Sequence, residues 1–155
     1  MRRTFWFGMI WTLAAVLLFT ACNPDTGRTR QGTTIVDVAA AGDAKAVQSM
    51  LDKGADVNTA NKQGTTALIS ASGNGQVEVV RLLLDKGANI NAKDVVGETA
   101  LIRASEEGNA EVVRVLLERG ADATAANIEG RSALSIAKKK GSSEIVRMLE
   151  EQKPR

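Results

Sequence analysis

Glycine recurs in this chain on a fixed period. Gly42, Gly75, Gly108 and Gly141 lie 33 residues apart, and so do Gly54, Gly87 and Gly120, and Gly64, Gly97 and Gly130. The residues between keep the same register. The segment Gln76-Val77-Glu78-Val79-Val80-Arg81-Leu82-Leu83-Leu84-Asp85-Lys86-Gly87-Ala88-Asn89 returns as Asn109-Ala110-Glu111-Val112-Val113-Arg114-Val115-Leu116-Leu117-Glu118-Arg119-Gly120-Ala121-Asp122. An earlier copy ends Met50-Leu51-Asp52-Lys53-Gly54-Ala55-Asp56-Val57-Asn58. A period of this size restricts the fold to a solenoid, in which each short unit buries its apolar face only against the next copy.

Each unit reads as two helices. Thr66 is suited to cap the first of them in the second unit. Leu68, Ala71, Ser72 and Gly75 follow at i, i+3, i+4 and i+7, a narrow face of small side chains. Gly75 suits a left-handed helix end. The second helix starts at Asp43, Gln76, Asn109 or Ser142 in the successive copies, with Glu78, Glu111 and Glu144 in the first turn, where the helix dipole favours a carboxylate. Gly54, Gly87 and Gly120 end it, with Lys53, Lys86 and Arg119 just before.

These units resemble ankyrin repeats. The family's Thr-Pro-Leu-His-x-Ala-Ala motif corresponds to Thr66-Ala67-Leu68-Ile69-Ser70-Ala71-Ser72, to Thr99-Ala100-Leu101-Ile102-Arg103-Ala104-Ser105, and to Ser132-Ala133-Leu134-Ser135-Ile136-Ala137-Lys138. The Gly-Ala-Asp/Asn ending of the second helix matches more closely. The resemblance covers residues 32 to 153 and implies an all-α solenoid of four repeats, each a helix-turn-helix with a β-turn finger. The domain is expected at 32–155, with repeats at about 32–63, 64–96, 97–129 and 130–153. Ala stands for Pro, which keeps a good helix former. Ile69, Ile102 and Ser135 stand for His, so the family's His-mediated bonds between repeats are expected to be absent, replaced by apolar contact. The outer copies are more polar, with Gln48 and Ser49 where the second copy has Arg81 and Leu82, and Glu150 in place of a Leu. Polar ends of this kind cap a solenoid.

Ahead of the repeats, Met1-Arg2-Arg3 precedes an apolar run from Phe5 to Ala21, the layout of a secretory signal. Leu18-Phe19-Thr20-Ala21-Cys22 resembles the lipobox of bacterial lipoproteins, although Phe19 departs from the usual Leu. The resemblance implies a signal peptide over 1–21, lipid attachment at Cys22, and a polar tether over 22–31. The alternative is an uncleaved anchor, since 17 residues just suffice to span a membrane. Either way the repeats are expected outside the inner membrane, facing the periplasm. Asn23 resembles the outer-membrane sorting pattern of Gram-negative cells.

Several chemistries are disfavoured by composition. There is no His or Tyr, and Cys22 is the single cysteine, which removes the usual general base, most zinc ligands and a disulfide framework. Without Arg2 and Arg3, the 20 basic residues become 18, equal to the 18 acidic ones. All Phe and Trp lie in the first 21 residues, so the repeats offer neither a basic stripe nor stacking aromatics for nucleic acid. Ser135 and Lys138 fit the Ser-x-x-Lys pattern of penicillin-binding enzymes, but the Ser-Asp-Asn and Lys-Thr-Gly partners are missing. No enzyme, cofactor or metal site is expected.

Binding of a protein by a monomer remains. In ankyrin proteins the fingers and first helices form a concave surface that holds the partner. Matched by position, that surface takes Lys62, Gln63, Thr65, Gly73 and Asn74 from the second repeat, then Val95, Val96, Glu98, Glu106 and Glu107 from the third. The fourth supplies Ile128, Glu129, Arg131, Lys139 and Lys140. Val95, Val96 and Ile128 are apolar where the family usually carries polar residues, so they either pack finger on finger or await a partner. Glu106-Glu107 and Lys139-Lys140 are one repeat apart and are expected to pair with each other. The role is read as an envelope adaptor, with an inhibitor or immunity protein against a periplasmic enzyme or toxin as the alternative, and a purely structural lipoprotein as the weakest.

Overall fold

A computed structural model describes residues 33–152. The signal peptide over 1–21, Cys22 and the tether to residue 31 lie outside them. The described chain forms eight helices in four pairs: α1 (Ile35–Ala41) with α2 (Ala44–Asp52), α3 (Ala67–Gly73) with α4 (Val77–Asp85), α5 (Ala100–Glu107) with α6 (Ala110–Glu118), and α7 (Ala133–Lys140) with α8 (Ser143–Glu151). The all-helical solenoid of four repeats is borne out. First helices stack in the order α1, α3, α5, α7, and second helices form a parallel layer in the order α2, α4, α6, α8.

Local chemistry places each helix. Thr34, Thr66, Thr99 and Ser132 take extended backbone and accept a bond from the N–H three residues on, which satisfies one free donor of the first turn. At Thr34 the bond is reciprocal, and the Thr34 backbone N–H, with its hydroxyl, holds the Asp37 carboxyl below the usual carboxylate range. Gly42, Gly108 and Gly141 close their helices in the left-handed conformation. At α3 the cap is Asn74, and left-handed Gly75 follows it.

The core is aliphatic throughout. Leu68, Ile69, Leu83, Leu101, Ile102, Leu116, Ile145 and Leu149 are at most 2% exposed, and the faces between are filled by Val and Ala. A buried side chain of this size contributes about 1.5–3 kcal/mol. Ile69 and Ile102 thus supply the apolar contact expected where the family has His. Ser135 does not. It is exposed and completes a capping box with Ser132.

Apolar contact is joined by polar bonds that cross every junction. Gln76 Nε2 donates to the Ala40 carbonyl at 3.3 Å, and Asn109 Nδ2 donates to the carbonyls of Ser72 and Gly73 at 2.9 Å each. Lys140 Nζ donates to the equivalent carbonyl of Glu106. The carbonyls at 40, 73 and 106 lie near the ends of successive first helices, where intrahelical donors run out, so each needs an outside donor. Gln76 and Asn109 begin their helices without a side-chain cap bond of their own, since their amides reach back one repeat. In the loops, Asn58 Oδ1 accepts from Asn89 N–H at 2.7 Å, and Asn91 Oδ1 accepts from Asp122 N–H at 2.9 Å.

Candidate partner-binding surface

The fingers are fixed by one repeated device. Asn61 Oδ1 accepts from the N–H groups of Gln63 and Thr65 at 2.9 and 3.0 Å. Asp94 does the same for Val96 and Glu98 at 3.0 and 2.9 Å, and Asn127 for Glu129 and Arg131 at 3.0 and 2.9 Å. A side-chain oxygen closing a turn on its own backbone is what makes Asn and Asp good turn residues. Neighbouring fingers are joined through their backbones, with Val95 N–H donating to the Gln63 carbonyl and Ile128 N–H to the Val96 carbonyl, each at 3.0 Å.

This pairing is made by main chain, and it leaves the side chains of Val95, Val96 and Ile128 free. Val95 is 66% exposed, Val96 40% and Ile128 74%; they are the exposed large hydrophobic residues of the described chain, and they sit on adjacent fingers. The alternative in which these side chains pack finger on finger is not what the structure shows.

Charged residues behind the fingers differ more from expectation. Glu98 does not face solvent: its side chain is 6% exposed, with Arg103 Nη1 at 3.2 Å and Arg131 Nη2 at 3.6 Å. Glu106 was expected to pair with Lys139 or Lys140, but its carboxylate meets Arg103 at 3.3 Å and Arg131 at 3.7 Å. The cause is shape. A guanidinium fork can bridge two carboxylates at once, where an ammonium acts as a point charge. Arg131 also has Glu129 at 2.8 Å from Nε. A four-membered cluster of Glu98, Arg103, Glu106 and Arg131 therefore ties α5 to the fourth finger. Arg103 was missing from the sequence expectation. Its signal was present, since the equivalent positions hold Asp37, Ser70 and Ile136 and only here is the charge positive, three residues before Glu106.

The remaining positions are dispersed. Lys62, Gln63, Glu107, Lys139 and Lys140 are exposed. Asn74 is exposed, with its amide donating to the Ser70 carbonyl at 2.9 Å, while Thr65 and Gly73 are half-buried. Glu106, Arg131, Ser135, Ile136, Lys139 and Lys140 line an open depression of about 510 Å³ between the fourth finger and α7.

Ser135 and Lys138 do not form a nucleophile and base. Ser135 Oγ donates to the Ser132 carbonyl at 2.8 Å, and Lys138 Nζ lies 2.7 Å from Glu150. Among the described residues there is no group of His, Cys, Asp and Glu side chains able to hold a metal ion, and no helix long and apolar enough to cross a membrane.

The paired helices, the projecting fingers and their register all point to one family, and its model matches. That model, described as ankyrin repeats in three copies, covers residues 7–94 and 93–154. The chain is an ankyrin-repeat protein. The first match begins within the apolar run at 5–21, ahead of α1. A comparison with curated proteins returned no significant match. Ankyrin repeats are generally protein–protein interaction modules and typically non-catalytic, so a protein partner is the coarse functional assignment.

Proposed function

We propose that this ankyrin protein is a membrane-tethered binding module of the bacterial envelope, holding a partner protein on its fingers and first helices. The observation that carries this reading is the row of exposed Val95, Val96 and Ile128 on adjacent, backbone-locked fingers. A rigid apolar centre with charged residues such as Glu129 and Arg131 around it has the anatomy of a specific interface. Binding energy concentrates in a few such side chains.

The test is Val96→Asp with Ile128→Asp, compared with Lys45→Glu and Glu118→Lys on the outer helices. Lys45 and Glu118 are exposed and take part in no ion pair with the described residues, whereas Arg81 and Arg114 belong to a surface chain with Glu111 and Glu144. After crosslinking in intact envelopes, the finger variant should recover its partner at about one-tenth of parental yield or less. The control pair should recover it as the parent does, both variants having parental thermal unfolding. Undiminished recovery by the finger variant would move the site elsewhere.

The tether is proposed at Cys22, supported by its place directly after Thr20-Ala21 at the end of the apolar run. Two or more acyl chains hold a protein on a membrane stably, where one is marginal. Cys22→Ala should reduce incorporation of labelled palmitate to background and release the protein from washed membranes. Label retained at the parental level would remove the lipid anchor from the proposal.

A further inference from the structure

Three lysines end α7, namely Lys138, Lys139 and Lys140. The carbonyl end of a helix favours cations, which accounts for basic residues at this place. It does not account for how differently the three are used. Lys138 is paired with Glu150, and Lys140 donates to the Glu106 carbonyl. Lys139 is exposed and has no hydrogen bond or ion pair with any described residue.

Lys139 also lies beside a site of unbalanced charge. The depression between the fourth finger and α7 is lined by Arg131, Lys139 and Lys140 against a single carboxylate, that of Glu106. Glu106 is already held by Arg103 and Arg131, and Arg131 is further matched by Glu98 and Glu129. Both arginines are thus spent on internal partners; Arg103, Arg131, Lys139 and Lys140 against Glu98, Glu106 and Glu129 leave one positive charge over, and Lys139 is the cation without a partner among the described residues. Ile128 stands on the same finger as Arg131, three residues before it, with its side chain in solvent.

From this juxtaposition we infer that the partner presents an extended polypeptide segment in which a bulky apolar side chain is followed by Asp or Glu. The apolar residue seats on Val96 and Ile128, and the carboxylates lie over the depression at Lys139 and Lys140. The inference rests on the finger-surface reading above and adds the chemistry of the bound segment. Complementary charge at such a rim sets specificity and encounter rate more than total affinity, and it weakens with salt.

The test is selection of a random dodecapeptide display library on the full-length protein in non-ionic detergent, followed by affinity measurement of the recovered peptides. Peptides enriched in an apolar residue followed by Asp or Glu are expected. Their binding should weaken about three- to tenfold in Lys139→Glu and on raising salt, and should persist in Lys139→Arg. It should be lost in Val96→Asp with Ile128→Asp. Because Lys139 has no internal partner, its replacement by Glu costs only the preference of the helix end for a cation, and thermal unfolding verifies that the domain stays folded. Peptides without acidic enrichment, or affinities indifferent to Lys139→Glu, overturn the acidic segment; if they still depend on Val96 and Ile128, the finger surface itself stands. Peptides indifferent to both changes overturn both readings. Recovery of no peptide, with Lys139-dependent binding to phosphatidylglycerol vesicles instead, would assign the lysines to an anionic lipid surface and overturn the inference.

Discussion

Leu83→Ala should lower the free energy of unfolding by about 2–5 kcal/mol, one of the largest losses any single truncation in this chain will cause. Leu83 is fully buried in α4, and α4 is packed against α2 on one side and α6 on the other. A cavity there cannot close by moving one neighbour without opening a gap at the opposite junction. In a solenoid, stability is approximately a sum of repeat and nearest-neighbour terms, so damage at an inner repeat weakens two interfaces. Glu118→Ala, on the exposed side of α6, should stay within about 0.5 kcal/mol. Urea titration followed by circular dichroism measures both, because residues 33–152 contain no aromatic side chain to report by fluorescence. Losses of similar size for the two variants would show that the assigned core is not the core.

What was legible in the sequence was local or strictly periodic. Thr66 and Thr99 could be read as helix starts because capping needs only a side chain and the backbone three residues on. The glycine register and the small-residue face of Leu68, Ala71 and Ser72 fixed the stacking, since all three side chains are buried. What escaped was pairing between units. Glu98 occupies a finger position that is usually open, and nothing within its own repeat says that Arg131, one repeat later, will cover it. Asn109 reads as a helix-starting residue, yet its amide turns backwards to Ser72 and Gly73. The candidate surface was half legible for the same reason. Val95, Val96 and Ile128 were found from residue type and register, but Arg103 could be placed only once α5 and the fourth finger were seen side by side.

The fingers offer a comparison in which backbone strain and close approach separate. Gly97 and Gly130 are equivalent turn residues with φ of +78° and +73°, both in the region that an L side chain enters at a cost of about 1–2 kcal/mol. Their surroundings differ. A Cβ on Gly97 would stand 3.2 Å from Asn127 Cα and 3.2 Å from Ile128 N, both backbone atoms of the next finger, whereas a Cβ on Gly130 would meet nothing within 4 Å. Gly130→Ala should therefore cost about 1–2 kcal/mol. Gly97→Ala should cost about 2–4 kcal/mol, because backbone cannot rotate away as a flexible side chain can, and the added methyl must push the fourth finger off the third. The bond most exposed to that push is Ile128 N–H to the Val96 carbonyl, so amide exchange at Ile128 should accelerate in Gly97→Ala and stay near parental in Gly130→Ala. Equal losses and equal exchange would mean that the fingers are not held this closely. In that case Val96 and Ile128 would be separate exposed residues rather than one rigid apolar surface, and the binding proposal would lose the feature that carries it.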